Sequence, residues 1–195
     1  MQPLDQIRAE AFTIIANGGA VHLFDIMWPD GKLQKEMWSR NAQVFREIRE
    51  RLPWLGGESE AQVAVLYSQN TARWYGRDHM GERVLANLYG VARALLDSQI
   101  PFDVICGLDS DALMRYDVLV LPDAACLSEG ECDRIRTFVK AGGGLVCSHD
   151  TSMLSENGAP RLAFGLSDVL GIEYEQADTA AYSRVYTRLQ FNRPM

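Results

Sequence analysis

The chain has 195 residues, of which 47% are hydrophobic, enough apolar material for one folded domain or for one domain plus a fragment. Its formal net charge of -7 argues against nucleic acid as a partner, because contact with phosphates needs a basic surface. No apolar run approaches the roughly 20 residues that cross a bilayer, so no membrane contact is expected. The first residues lack a signal-peptide pattern, which predicts a cytoplasmic protein unless a leader preceded this sequence.

The first part of the chain, residues 1–57, is predicted to form a helix, a strand and a second helix. Apolar residues recur at helical spacing over residues 4–15, and a second stripe of this kind covers residues 37–52. Between them, residues 20–27 (AVHLFDIM) are typical of a strand. One strand between two helices has no sheet partner of its own, so this segment is an unusual independent start. The junction predicts two domains, residues 1–57 and residues 58–195.

The second part alternates strand-like and helix-like segments. Short apolar runs rich in β-branched residues predict four strands buried on both faces of a parallel sheet, at residues 62–68, 101–106, 117–121 and 145–148. Residues 181–189 are typical of a further strand. Helical patterns cover residues 80–95, 110–115, 128–141 and 162–170, and residues 69–77 (QNTARWYGR) are predicted to form a loop. The alternation predicts an α/β fold with an open, doubly wound, mostly parallel flavodoxin-like sheet, helices on both faces and strand order 2-1-3-4.

Two local patterns mark the ends of the helix that follows the third strand. Ser128 and Glu131 have the spacing of a capping box, in which the hydroxyl caps the first turn and the carboxylate reaches back. Residues 142–144 (GGG) supply a left-handed helix stop, a conformation that β-carbons resist. The next strand begins directly after these glycines, and the right-handed crossover rule makes it parallel to the preceding strand.

Cofactor and metal signals are weak. The four cysteines form no CxxC pair and have no histidine at zinc-finger spacing, which argues against a structural metal. The loop after the first strand, SQNTARWYG, does not match the GxGxxG pattern that binds dinucleotide phosphates. We therefore expect no cofactor and no bound metal.

The string YDVLVLPDAACLSEGECDRIRTFVKAGGGLVCSHDTSMLSENG, followed by LSDVLGIEY, resembles the trimerisation domain of family 42 β-galactosidases and related glycoside hydrolases. That family has a strand ending in proline, a serine-capped helix, a V-x-x-G-G step into the next strand, and a later L-x-D-x-L-G helix. The resemblance covers residues 62–174. It implies a non-catalytic association domain that self-associates, as a trimer if the family pattern holds, and that meets carbohydrate only through a parent glycoside hydrolase.

The same resemblance accounts for the unusual start. In these enzymes the domain follows a (β/α)₈ barrel, and residues 1–57 look like the last strand of such a barrel with its flanking helices. The catalytic carboxylates would then lie upstream, so we nominate none in this chain. Asp25, at the end of the predicted barrel strand, and the nearby Trp28 are candidates for substrate binding. The alternative is a turn carboxylate that caps a helix beside a packing tryptophan.

The fold is also shared with class I glutamine amidotransferases and PfpI-like hydrolases, so an enzymatic alternative stays open. The resemblance to those families puts His149 where they have a nucleophilic cysteine, and Cys147 falls two residues early, inside the strand. Ser148, His149 and Asp150 cannot form a relay as strand neighbours, because alternate side chains point to opposite faces. We therefore expect no catalysis from this domain.

A ligand cleft is the third possibility, as in a free-standing flavodoxin-like binding module. Open α/β sheets bind ligands beyond the carboxyl ends of their strands at the switch point. The candidate lining residues are Ser68, Gln69, Asn70, Asp123, His149 and Asp150. In the adjoining loop, Trp74 and Tyr75 are candidates for stacking on a sugar or for filling a partner's surface, unless they only cover their own helix. Together with Arg73 and Arg77 they are the candidate anchors of self-association.

Overall fold

The computed structural model describes residues 2–24 and 27–174, and the chain divides into two compact units, Met1–Ser59 and Glu60–Met195. Asp25 and the predicted strand at residues 181–189 lie outside the described residues. None of the helices in the described part is long and apolar enough to cross a membrane.

The first unit is a pair of helices. Helix α1 spans Leu4–Ala16, helix α2 spans Lys35–Arg51, and a 3₁₀ turn follows at Leu52–Trp54. Four residues at helical spacing form the buried seam between α1 and α2: Ile7, Ala11, Val44 and Ile48. At the edge of this seam the Arg8 guanidinium donates two hydrogen bonds of 2.8 Å to the Glu47 carboxylate. Both helices that the periodicity predicted are therefore present.

The strand predicted at residues 20–27 is wrong for the part that is described. Residues 20–24 and 27–28 belong to neither a helix nor a strand. A strand is stabilised by hydrogen bonds to a neighbouring strand, and the described residues of this unit supply none. Phe24 and Met27 are correspondingly exposed, at 74% and 65% of their full surface. The segment has the apolar pattern of a strand, but the described part of this unit contains no strand with which it could pair.

The second unit is built on a four-stranded parallel sheet. The strands are β1 (Val63–Leu66), β2 (Phe102–Ile105), β3 (Val118–Leu121) and β4 (Gly144–Cys147). Their spatial order is β2-β1-β3-β4, which confirms the predicted order and orientation. Val65 lies opposite Val104 on one side and opposite Val120 on the other. All residues of β1 are buried, as expected for a central strand covered on both faces.

Helices cover both faces of this sheet, which confirms the doubly wound arrangement. On one face, Leu119 and Leu121 pack in the same core as Ile135 and Phe138 of helix α5 (Glu129–Lys140). On the other face, the valines of β1 and β3 contact Leu88, Val91 and Leu95, which belong to helix α3 (Ala86–Asp97). Two short helices complete the described part of the unit, α4 at Ser110–Leu113 and α6 at Ser167–Leu170.

The structure corrects two segment predictions. Residues 69–77 are helical rather than a loop: π-helical turns at Thr71–Gly76 and Gly81–Leu85 flank a 3₁₀ turn at Arg77–His79. The helix predicted at residues 162–170 is shorter, because the N–H groups of Gly165 and Leu166 donate to Ser152 instead of to their own helix.

The capping box is confirmed. The Ser128 hydroxyl accepts from the Glu131 N–H, and the Glu131 carboxylate accepts from the Ser128 N–H.

Candidate functional site

Three polar side chains meet where β3 and β4 end. The paired strand ends are Leu121 and Cys147, and each strand is followed two residues later by a member of the cluster, Asp123 or His149. The His149 Nδ1 atom lies 3.5 Å from Asp123 Oδ1 and 3.3 Å from Asp150 Oδ2. The structure thus brings together three of the residues that the sequence placed in a strand-end cleft. We call Asp123, His149 and Asp150 the strand-end cluster.

The backbone holds the strand-end cluster in an uncommon conformation. Asp123 has φ 51° and His149 has φ 49°, both in the left-handed region that residues other than glycine seldom adopt. Hydrogen bonds across the two turns fix this geometry: the Asp123 N–H donates to Ser148 Oγ over 3.0 Å, and the Asp150 N–H donates to Asp123 Oδ1 over 3.1 Å. Such local strain is concentrated at functional sites. The two turns are therefore locked to each other by side chains of the site itself.

Neutral donors from the helical segments after β1 complete the site. The Tyr75 hydroxyl donates to Asp150 Oδ2 over 3.1 Å, and the Asn87 amide donates to Asp123 Oδ2 over 3.2 Å. The Arg83 guanidinium stacks on the Tyr75 ring, 5.3 Å from its centroid. Sequence reasoning missed Asn87. The signal that could have found it is the strand order, which places the segment after β1 beside the end of β3.

Burial sets the electrostatics of the strand-end cluster. The Asp123 side chain is only 3% exposed, and this burial raises its pKa to about 6, partly opposed by the neighbouring His149. Burial also raises the pKa of Tyr75, and the charges of Asp123 and Asp150 act in the same direction. At neutral pH the Tyr75 hydroxyl therefore keeps its proton and stays a hydrogen-bond donor. His149 and Asp150 are 67% and 42% exposed, which leaves the site open to solvent.

Other predicted site residues take different places. Ser68 is buried, and its hydroxyl donates to the Cys126 carbonyl and accepts from the Thr71 N–H, so it supports the fold. Gln69 is exposed and Asn70 is half-buried, and the described side chains that donate hydrogen bonds to the strand-end cluster are those of Tyr75 and Asn87 instead. Trp74 is 39% exposed. Trp28 lies in the first unit with 56% of its surface exposed.

The described residues show no activated nucleophile at this site. Cys147 lies inside β4, where burial raises its pKa to about 12, so its thiol stays protonated. The left-handed turn after β4 carries His149 instead. The ligand atoms of Asp123 and Asp150 lie within 4.8 Å of each other and of His149, closer than the two carboxyl groups of glycosidases, which are about 5–10 Å apart. The arrangement suits binding of a cation or of hydrogen-bond donors better than hydrolysis.

Comparison with known proteins identifies the family of the second unit. Residues 61–192 match the family model described as the β-galactosidase trimerisation domain. The β-galactosidase BglY of Alicyclobacillus acidocaldarius is 31% identical over an alignment of 124 positions, which covers 60% of this chain and 18% of that protein. The β-galactosidase BgaB of Geobacillus sp. is 26% identical over a gapped alignment of 201 positions, which covers 90% of this chain and 29% of that protein.

A solved structure agrees with the fold. The crystal structure of the β-galactosidase from Bacillus circulans sp. alkalophilus superimposes with a TM-score of 0.64 at 24% identity, covering 78% of this chain and 24% of that chain. The chain thus spans only 18% to 29% of the length of these two relatives. The family model covers well over half of the chain and includes all four strands of the sheet. The chain belongs to the β-galactosidase trimerisation-domain family.

Proposed function

We propose that this chain is a non-catalytic association domain that assembles as a trimer and belongs to a larger β-galactosidase-like glycoside hydrolase. The observation that carries this proposal is the match of residues 61–192 to a family described by trimerisation. The names of the relatives support the parent activity, and the chain corresponds to a minor part of their length. A cytoplasmic location and the absence of nucleic-acid partners stay predictions from the sequence.

The surface of the second unit supports association. Large apolar side chains are exposed on helix α3, where Tyr89 and Leu96 are 63% and 64% exposed, and on β2, where Val104 is 49% exposed. Within the described residues, β2 and β4 are also the open edges of the sheet. Exposed apolar side chains and unpaired strand edges are features that stable protein contacts cover. The composition of this surface is therefore suited to a homo-oligomer.

The helical segment after β1 offers the best anchor. Trp74 is exposed between the exposed Arg73 and Arg77, and tryptophan and arginine dominate the energetic centres of interfaces. Tyr75 is half-buried and its hydroxyl is bonded to Asp150, so we assign it a supporting part in shaping this segment. Trp74 is the residue whose truncation should weaken association most.

The mass in solution tests association. At micromolar concentration, light scattering after size exclusion should give three times the 21.8 kDa of one chain. Trp74→Ala should weaken association by about 30-fold, the effect of losing an interface hot spot of about 2 kcal/mol. Trp54→Ala removes an 80% exposed tryptophan from the first unit and serves as the control. A monomeric wild-type chain would reject the proposal, and a Trp74→Ala trimer of full affinity would move the interface elsewhere.

The chain by itself should not be an enzyme. We expect it to hydrolyse neither aryl β-galactosides nor glutamine, because the described residues offer neither a suitably spaced carboxylate pair nor an activated thiol. The measurement is release of nitrophenol or ammonia against a buffer blank, with Cys147→Ser as the matched variant. Turnover above the blank that disappears in Cys147→Ser would revive the amidotransferase alternative.

The first unit is proposed to be the end of the parent's barrel, with Asp25 and Trp28 near its carbohydrate site. Support comes from the sequence resemblance and from the exposed Phe24, Met27 and Trp28, which the described part of this unit leaves uncovered. Exposed apolar surface costs about 25 cal/mol per Å² relative to burial, which favours a covering partner. Deleting residues 1–57 should therefore raise the solubility of the remaining chain. Unchanged solubility and unchanged melting temperature after the deletion would argue against this assignment.

A further inference from the structure

We propose that Asp123, His149 and Asp150 form a binding site for one divalent transition-metal ion, of the Zn²⁺ or Mn²⁺ type. Each side chain offers one ligand atom, and the three atoms all lie within 4.8 Å of one another. No other group of three or more such side chains occurs within residues 2–24 and 27–174. Metal binding at these residues is independent of whether the chain trimerises.

The ligand set selects the class of ion. Imidazole nitrogen suits zinc and iron, and carboxylate oxygen suits manganese, whereas Mg²⁺ and Ca²⁺ prefer oxygen ligands alone, so a set of one imidazole and two carboxylates favours Zn²⁺ or Mn²⁺. The Nδ1 atom of His149 faces both carboxylates, at 3.5 and 3.3 Å. A neutral imidazole that carries its proton on Nε2 presents the Nδ1 lone pair in that direction. Three protein ligands leave a tetrahedral ion one further position for water or an exogenous ligand.

The charge balance of the strand-end cluster also favours a cation. Asp123 is buried, and apart from His149 its donors are the neutral Asn87 amide and the Asp150 N–H. Asp150 receives a hydrogen bond from the neutral Tyr75 hydroxyl. Among the described side chains, His149 alone lies within ion-pair distance of either carboxylate. Two carboxylates therefore share one imidazole, and a negative charge buried at Asp123 without a compensating cation is costly.

Surrounding groups already orient the ligands as the outer shell of a metal site does. The Asn87 amide donates a hydrogen bond to Asp123 Oδ2, and the Tyr75 hydroxyl donates one to Asp150 Oδ2. These bonds restrict the orientation of both carboxylates. The left-handed turns at Asp123 and His149 direct both side chains to one point from adjacent strands. Because His149 and Asp150 are partly exposed, an ion can enter from solvent.

Calorimetric titration of the full chain, after treatment with a chelator, tests the site. Zn²⁺ or Mn²⁺ should bind with one ion per chain, and Mg²⁺ should bind at least tenfold more weakly. His149→Gln should weaken binding at least tenfold, and Asp123→Asn should do the same. The His149 side chain is 67% exposed, so His149→Gln should leave the fold intact, which circular dichroism checks.

Two matched variants separate this site from other metal ligands. His79→Gln removes an exposed histidine that lies 3.7 Å from Glu82, and Cys106→Ser removes the exposed thiol. Both should keep the affinity of the wild-type chain. The absence of saturable binding of both Zn²⁺ and Mn²⁺ would overturn the proposal. Full affinity in the folded His149→Gln variant, or loss of binding in either control, would overturn it as well.

Discussion

Replacing Leu119 by alanine should lower the free energy of unfolding by about 2–5 kcal/mol, the usual cost of emptying a leucine site in a packed core. Leu119 lies in the middle of β3 and is completely buried. It belongs to the core between the sheet and helix α5, where Ile135 and Phe138 are also buried. The surrounding backbone is tied into strands on both sides, so it cannot collapse into the space that the side chain leaves.

Urea denaturation followed by circular dichroism measures this loss, and amide hydrogen exchange assigns it to the second unit. The matched control is Leu162→Ala, the same substitution at a side chain that is 100% exposed, which should change the free energy by less than about 0.5 kcal/mol. Exchange should accelerate at β1 and β3 in Leu119→Ala. Equal stability of the two variants would mean that this side of the sheet is not the core of the unit.

The sheet could be predicted from the sequence because its strands have a recognisable local pattern. Residues 63–66 (VAVL) are apolar at successive positions, which fits a strand only when both faces are covered, and all four are buried. The alternation with helical patterns then restricts the order of the strands. The start of α5 was predictable for a similar reason, since the capping box between Ser128 and Glu131 is complete within four residues.

The predictions that failed concern segments whose structure depends on contacts between residues that are distant in the sequence. Residues 71–76 are helical because the buried Thr71 hydroxyl accepts the Cys126 N–H, 55 residues away, and donates to Ser68 Oγ. Nothing in the local pattern indicates that bond. Residues 20–24 illustrate the opposite case, in which a strand-like pattern is present and its partner strand is not among the described residues.

The candidate site likewise contains residues that the sequence could predict and residues that it could not. Asp123, His149 and Asp150 could be predicted, because the carboxyl ends of parallel neighbours meet at one edge of the sheet. The bonds of Tyr75 and Asn87 to this cluster could not, since they depend on how the helical segment after β1 is wound. Sequence identified the edge of the sheet where chemistry is possible, and tertiary packing decided which side chains occupy it.

Replacing Gly143 by alanine is the second substitution with a large expected effect, about 1–3 kcal/mol or more in lost stability. A β-carbon at this position would lie 2.3 Å from two atoms of the Phe138 ring. Phe138 is 2% exposed and packs in the same core as Leu119, so the ring has little room to move away. The clash would have to be relieved by shifting the end of α5 or the start of β4.

Two other glycines in the same stretch provide the controls. Gly130 lies in α5 with open space around its missing β-carbon, so Gly130→Ala should stabilise the chain by up to about 1 kcal/mol through helix propensity. Gly142 also has open space but has φ 104°, so Gly142→Ala should destabilise through its backbone alone. Urea denaturation of the three alanine variants thus separates side-chain clash, backbone strain and helix propensity.

This series also explains the double glycine of the V-x-x-G-G step in physical terms. The N–H of Gly142 donates to the Val139 carbonyl and the N–H of Gly143 donates to the Phe138 carbonyl, the two hydrogen bonds of a Schellman helix ending. The first glycine is needed for its left-handed backbone, and the second for its close approach to the ring below it. If Gly143→Ala were as stable as the wild-type chain while Gly142→Ala was not, only the turn, and not the packing against Phe138, would require the double glycine. Loss of stability in both variants would mean that the turn and the core beneath it jointly set where β4 begins, and hence where His149 and Asp150 meet Asp123.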